Sequence, residues 1–448
     1  MRWYYAEDRE YYSAREIAKL KRPNSEVLVC PKEEELLKAL REGKSFDVLA
    51  PYLPPPHLKN LFVLVELPNR YGVLTTQEKE YLDSLPPQDK AIAERKIIEN
   101  KLGLKITKPK IPEDKVIGLR NVKRFIWQIK TITDPKLRPK AVFLAGIPGT
   151  GKSYSAKYSA SILGRYLVEF NLSKIMESPN PTFLLHSIFQ YLEKLSSEGY
   201  EFILWIDEIE KMFATLEEEK EKRLLGQLLT IINELGEETG YKVNGVFFVT
   251  ANNVTQIVEK NPEFLRKGRF DELFFLDVPL LSDAKKLFTL YRREYGNFGY
   301  YNTTMPQRSF EDDAIFYAMD EVYVKEKGRL GSPESGERFI YTPAEVQQIC
   351  KELAKREKEN QRFLKGETEV IELLYPYSTL NKVSKFLRSD VNYEKLKKVH
   401  LERLKKSGGR LTELDLVAVL SIVEPMAITM REGLSKMYAT EKYFVKAD

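Results

Sequence analysis

The sequence predicts an α/β chain with a parallel sheet covered by helices in its middle, a smaller α/β region before it and a helical region after it. Three observations carry this. Between about residues 116 and 279, apolar β-like runs alternate with longer helical stretches, the order that a parallel sheet with crossover helices requires. Beyond Ser282 the β-like runs nearly vanish. The run Gly146-Ile147-Pro148-Gly149-Thr150-Gly151-Lys152-Ser153 stands between an apolar strand-like segment, residues 141–145, and a helix-like one, residues 154–163.

The N-terminal region, residues 1–114, has β-like runs at 27–30 and 61–65 and a helix over 32–42 bounded by Pro31 and Gly43. Thr75 with Glu78 has the form of a capping box, and residues 91–102 are helical up to Gly103. Residues 105–115, with two prolines among lysines, read as a linker. The middle region spans 115–280. In the last region, 281–448, helices are expected at 283–294, 312–325, 343–356, 393–405 and 411–437, with a loop at 329–336.

At 448 residues with 43% hydrophobic content, the chain has enough apolar material for several cores. Two cysteines, Cys30 and Cys350, and three histidines form no metal or redox motif. The net charge of +5, from 71 basic and 66 acidic residues, does not by itself call for a polyanionic partner. The start lacks a signal peptide's apolar core, and no apolar run approaches the roughly 18 residues that cross a bilayer. A cytoplasmic location and no membrane contact are expected.

The glycine-rich run fits G-x-x-x-x-G-K-[ST]. Such a loop wraps backbone N–H groups around phosphate oxygens, and the following helix points its positive end at the anion. Lys152 would reach the β- and γ-phosphates, and the Ser153 hydroxyl would ligate Mg²⁺. Pro148, Gly149, Thr150, Gly151 and, at the helix start, Tyr154 complete the phosphate-binding set. Roughly 55 residues on, the apolar run 202–206 ends in Asp207 and Glu208. One carboxylate suits Mg²⁺ and the next suits a general base toward water. A further run, 246–250, ends in Ala251-Asn252-Asn253, where Asn252 either meets the γ-phosphate or the water, or forms part of a turn. The segment Leu265-Arg266-Lys267-Gly268-Arg269-Phe270-Asp271 follows.

In this order and spacing, the loop, the Ile-Asp-Glu strand, the asparagine and the Leu-Arg-x-Gly-Arg-Phe-Asp segment resemble AAA ATPases. Thr250-Ala251-Asn252-Asn253 and Glu424-Pro425-Met426-Ala427-Ile428-Thr429-Met430 resemble more closely a chloroplast- and cyanobacterium-type branch of uncharacterised AAA proteins. The resemblance implies a P-loop NTPase sheet with a C-terminal helical lid and an N-terminal α/β accessory domain. It implies ATP and Mg²⁺, with Ile117 and Gly118 beside the adenine and Ala344 at the lid. It assigns Arg266 and Arg269 to a neighbouring subunit's γ-phosphate in a ring, a hexamer, that remodels or assembles a protein client. A nucleic-acid-directed loader and a nucleotide-gated regulatory binding protein with slow turnover stay open beside that client.

Two departures from the family pattern stand out. Where threading motors carry an aromatic-glycine pair, residues 173–181 have none; Ile175 and Met176 either grip a chain or pack inside. Where many lids offer an arginine, residues 341–345 read Tyr-Thr-Pro-Ala-Glu, with Thr342 as N-cap and Pro343 in the first turn. The lysines and arginines between 395 and 410 read as a solvated helix face or, alternatively, as a phosphate-backbone contact. His186 reads as an ordinary helix residue.

Overall fold

The computed structural model describes residues 1–6, 17–18, 20–67, 74, 76–132, 134, 137–178, 181–214, 219–260, 262–265, 268–301, 338–367, 384 and 389–448. Thr75, Arg266, the helix expected at 312–325 and the loop expected at 329–336 lie outside the described residues. The chain forms two compact units, Met1–Lys108 with Gly164–Phe247, and Pro109–Leu163 with Phe248–Asp448. In chain order the strands are β1 (Arg2–Tyr5), β2 (Glu26–Val29), β3 (Phe46–Ala50), β4 (Val63–Glu66), β5 (Leu104–Thr107) and β6 (Ala141–Gly146). They continue with β7 (Tyr166–Phe170), β8 (Phe202–Ile206), β9 (Gly245–Ala251), β10 (Glu272–Leu276) and β11 (Val445–Lys446). The described residues are mixed α/β with parallel strands, and those from Leu281 onward are mainly helical.

In the first unit, β2, β3, β1 and β4 lie side by side in that order, with parallel pairs throughout. Every residue of β3 is buried, including Asp47. A buried carboxylate must be paired. Asp47 accepts from the Arg2 backbone N–H at 2.7 Å and from the Arg22 guanidinium at 2.5 and 2.7 Å. Trp3 packs edge-on against Phe62, ring centroids 5.1 Å apart, and fills the core on one face. The helix Pro87–Leu102 ends where Gly103 turns left-handed at φ 68°. The stretch expected as a linker opens instead with β5, antiparallel to β7, with Leu104 opposite Phe170. Strand β7 pairs in parallel with β8.

In the second unit, β10 pairs in parallel with β6 and β11 with β10. Phe143 of β6 meets Phe264, Phe270 and Phe444 at centroid distances of 5.7, 5.4 and 6.0 Å. Helices follow at Leu281–Glu294, Pro343–Leu364 and Tyr393–Ser407. The single helix expected at 411–437 is three: Glu413–Ile422, Met426–Thr429 and Arg431–Thr440. Pro425, which has no N–H to continue the ladder, sits at the first break.

Three of these helices meet around a buried polar cluster. Arg356 donates to Asp415 at 2.9 Å and to His400 Nε2 at 3.3 Å. Burial, ahead of the neighbouring charges, pushes the His400 pKa below its ordinary value. Leu396 and Leu404 point into the same core, while Lys395, Lys398, Lys405 and Lys406 are exposed, so Tyr393–Ser407 is an amphipathic helix with a basic outer face.

Candidate functional site

Strand β6 delivers the chain to the glycine-rich loop, and its last residue is Gly146, at φ 148°. A Cβ there would come within 2.1 Å of the Leu276 carbonyl oxygen of β10, so only glycine fits. Gly149 and Gly151 follow at φ 81° and 103°, also in the left-handed region. The helix Lys152–Leu163 begins immediately after, so its unpaired N–H groups face the loop. Lys152 is buried, and its Nζ donates to the carbonyls of Gly146 and Ile147, both at 2.8 Å. The Thr150 hydroxyl donates to Ile147 O at 2.7 Å and closes the turn. Pro148, Ser153 and Tyr154 lie along the same loop and helix start.

The expected lid residues come to this loop. Thr342 caps the helix Pro343–Leu364 in a full capping box with Glu345, as its residue types required. The Ala344 N–H donates to Gly149 O at 3.2 Å. A Cβ on Gly149 would lie 3.0 Å from Thr342 Oγ1 and 3.1 Å from the Ala344 Cβ. Two small surfaces therefore meet, and Ala344 packs on the loop itself. On the segment before the first helix, Gly118 turns at φ 72°, with Asp283 Oδ2 3.1 Å from where its Cβ would stand. Leu119, left-handed at φ 56°, starts the helix Arg120–Thr131, and its Cδ1 lies 3.9 Å from the Cβ position of Gly151. Burial raises the Tyr154 pKa, with Glu294 and Asp114 adding to it.

In the other unit, β8 is wholly buried and ends at Ile206, which leaves Asp207 and Glu208 half-buried at its carboxyl end. Glu208 adopts a left-handed backbone, φ 52°, which is rare for a residue with a side chain. Its carboxylate pairs with Lys211 of the helix Glu210–Ala214. Both acids line a cleft of about 350 Å³ together with Gly103, Asn171, Lys174 and Lys211.

That cleft also answers the question of the loop at 173–181. The segment is a short helix, Leu172–Glu177, capped by Asn171, whose Oδ1 accepts from the Lys174 N–H at 3.0 Å. Lys174 Nζ donates to the Asn100 carbonyl, and Asn171 N–H donates to Gly103 O at 2.8 Å. Of the two residues left open between gripping a chain and packing inside, Ile175 is buried and Met176 is partly exposed.

Asn252 and Asn253 follow β9. Asn253 Oδ1 accepts from the Thr255 N–H at 3.0 Å and forms the turn. Arg269 donates to the Glu263 carbonyl at 2.6 Å. Its segment is fixed to the start of β6 by Asp271, which accepts from the N–H groups of Lys140 and Ala141 at 2.7 and 2.9 Å. Phe264 and Phe270 anchor it from the core side. Arg269 is thus a partly exposed cation on a rigid mount.

The family description "ATPase family associated with various cellular activities (AAA)" matches residues 142–278, which hold the loop, the carboxylates, the asparagine pair and the arginine segment. This part of the chain is similar to the AAA family. Over 161 residues it is 34% identical to the "Uncharacterized AAA domain-containing protein ycf46" of Gracilaria tenuistipitata var. liui, across 35% of this chain and 30% of that relative. Over 199 residues it is 27% identical to the "AAA ATPase forming ring-shaped complexes" of Corynebacterium glutamicum (strain R), across 41% of this chain and 35% of the relative. The chain therefore spans less than half the length of the curated relatives it matches. A crystal structure of the FIGL-1 AAA domain aligns with a TM-score of 0.48 at 16% identity, covering 81% of this chain and 97% of that one.

Sequence reasoning missed Lys211 and Lys174. Lys211 stands three residues after Glu208, a helix-neighbour spacing that marks a possible ion pair. Lys174 carried no signal, because its partner is a backbone carbonyl 74 residues away. Among the described residues no helix is long and apolar enough to cross a membrane, and no cluster of His, Cys, Asp or Glu could hold a metal by itself.

Proposed function

We propose that this chain hydrolyses ATP as a ring of identical copies, a hexamer, and uses the cycle to remodel or assemble a protein client. The observation that carries the reading is the phosphate loop, with Gly146, Gly149 and Gly151 at positive φ ahead of a helix N-terminus and a buried lysine among them. In this reading residues 115–280 form the nucleotide-binding core, 281–448 the lid with an extension, and 1–114 an accessory domain. Ile117 and Gly118 border the adenine, and Pro148 to Tyr154 wrap the phosphates. Ala344 brings the lid to the loop through Gly149.

Lys152 exchanges its two loop carbonyls for β- and γ-phosphate oxygens, a substitution of one set of acceptors for a more highly charged one. Ser153 and Asp207 offer a hydroxyl and a carboxylate, the hard oxygen donors that suit Mg²⁺. When bound, that ion supplies neutralising charge to the phosphates. Glu208 accepts a proton from the attacking water, and Asn252 orients that water by hydrogen bonding. Arg269 and Arg266 stabilise charge on the phosphoryl group of a neighbouring copy. A partly exposed cation on an anchored segment suits that task. The Corynebacterium relative named for ring-shaped complexes supports assembly.

The clamped helix Leu172–Glu177, with Ile175 buried, favours remodelling or assembly over processive threading. The test is the pair Lys152→Ala and Glu208→Gln. Lys152→Ala should lose ATP binding, whereas Glu208→Gln should bind ATP with wild-type affinity and lose turnover by at least about 10²-fold. Normal turnover by Glu208→Gln would sink the base assignment, and a pulldown with the ATP-trapped variant would name clients.

A further inference from the structure

The proposed base is held by a neighbour for which the reaction itself has no use. The left-handed backbone of Glu208, φ 52°, turns the chain so that its carbonyl accepts from the Lys211 N–H at 3.0 Å. Across the same turn the Glu208 Oε2 pairs with the Lys211 ammonium. That hydrogen bond, and then the charge of Glu208, raise the Lys211 pKa, so the lysine is a full cation at neutral pH. Two other lysines line the cleft, and both are engaged elsewhere. Lys174 donates to the Asn100 carbonyl, and Lys105 lies 4.0 Å from Glu169. Lys211 is thus the cleft lysine that meets the proposed base.

We infer that Lys211 is a positioning residue that parks Glu208 and slows hydrolysis until their ion pair opens. This rests on the reading of Glu208 as general base. A carboxylate oxygen that already accepts from an ammonium has one fewer lone pair for water, and the pair holds the carboxylate toward the helix Glu210–Ala214. The brake is mild. The two side chains are 37% and 59% exposed, so solvent screens the pair, and interactions of this kind are worth about two- to fivefold in an equilibrium. A pair of that strength holds the resting state yet yields to any stronger partner for either group.

The experiment is ATP turnover by Lys211→Met and Lys211→Arg beside the wild type, with full-length protein and Mg²⁺. Lys211→Met should raise kcat about two- to fivefold with an unchanged KM for ATP, because the pair restrains the chemical step and not binding. Lys211→Arg should return kcat to the wild-type value. A Lys211→Met kcat that is unchanged or lower, or an arginine variant that behaves like methionine, overturns the inference. A readout independent of hydrolysis is acylation of Lys211 by a water-soluble amine reagent, followed by mass spectrometry without nucleotide. Labelling should rise several-fold in Glu208→Gln; equal labelling would overturn the pairing. Turnover surviving in Glu208→Gln would remove the base assignment and the brake with it. Turnover lost there, without a gain in Lys211→Met, would remove the brake alone.

Discussion

In the phosphate loop every residue at positive φ is a glycine, Gly146, Gly149 and Gly151, whereas at the carboxylate corner the left-handed residue is Glu208 itself. The contrast follows from what each place must present. The loop works through its backbone, and side chains there would collide with Leu276 O or with Thr342 and Ala344. In the proposed function the corner works through a carboxylate, so it keeps the side chain and accepts a backbone strain of about 1–2 kcal/mol. Their braces differ as well. The loop is braced by the first turn of the helix Pro343–Leu364, and the corner by Lys211 within its own turn. On this account substitutions in the loop change affinity, and substitutions at the corner change rate.

The hardest test of that division comes from a residue in neither place. Arg269→Ala should leave ATP affinity intact and lower kcat by about 10³-fold, because in the proposed function its guanidinium acts on the transition state of a neighbouring copy. Unchanged turnover would remove the trans assignment, and lost binding would show that the arginine holds the ground state. A smaller effect sharpens the loop side. Gly149→Val forces a branched side chain to φ 81° and against Thr342 and Ala344. ATP affinity should fall about tenfold, while kcat at saturating ATP stays within about twofold of wild type. A rate loss without an affinity loss would contradict the division.

Much of this was legible in the sequence because it is local. The phosphate loop, the acids after an apolar strand, and Thr342 with Pro343 and Glu345 each announce themselves within a few residues. The AAA family match at residues 142–278 covers the first two of these, the loop and the acids. What escaped depends on distant partners. Strand β5 hid in a lysine- and proline-rich stretch, since only its pairing with β7 defines it. Strand β11 is two residues long and exists by pairing with β10. Strand β3 contains Asp47, which local reasoning counts against a buried strand until Arg2 and Arg22 are found around it. The break at Pro425 was readable from the missing N–H, yet the apolar periodicity on both sides masked it. Ile175 and Met176 could not be told apart by type, because the capping by Asn171 and the hold of Lys174 on Asn100 decide which one turns inward.

The most direct measurement is ATPase activity per chain across protein concentration, from well below to well above micromolar, with Mg²⁺ present and sizing on the same dilutions. The account predicts activity that rises and saturates together with assembly, and an Arg269→Ala protein that assembles without gaining activity. Full activity in a monomer at every concentration would contradict it.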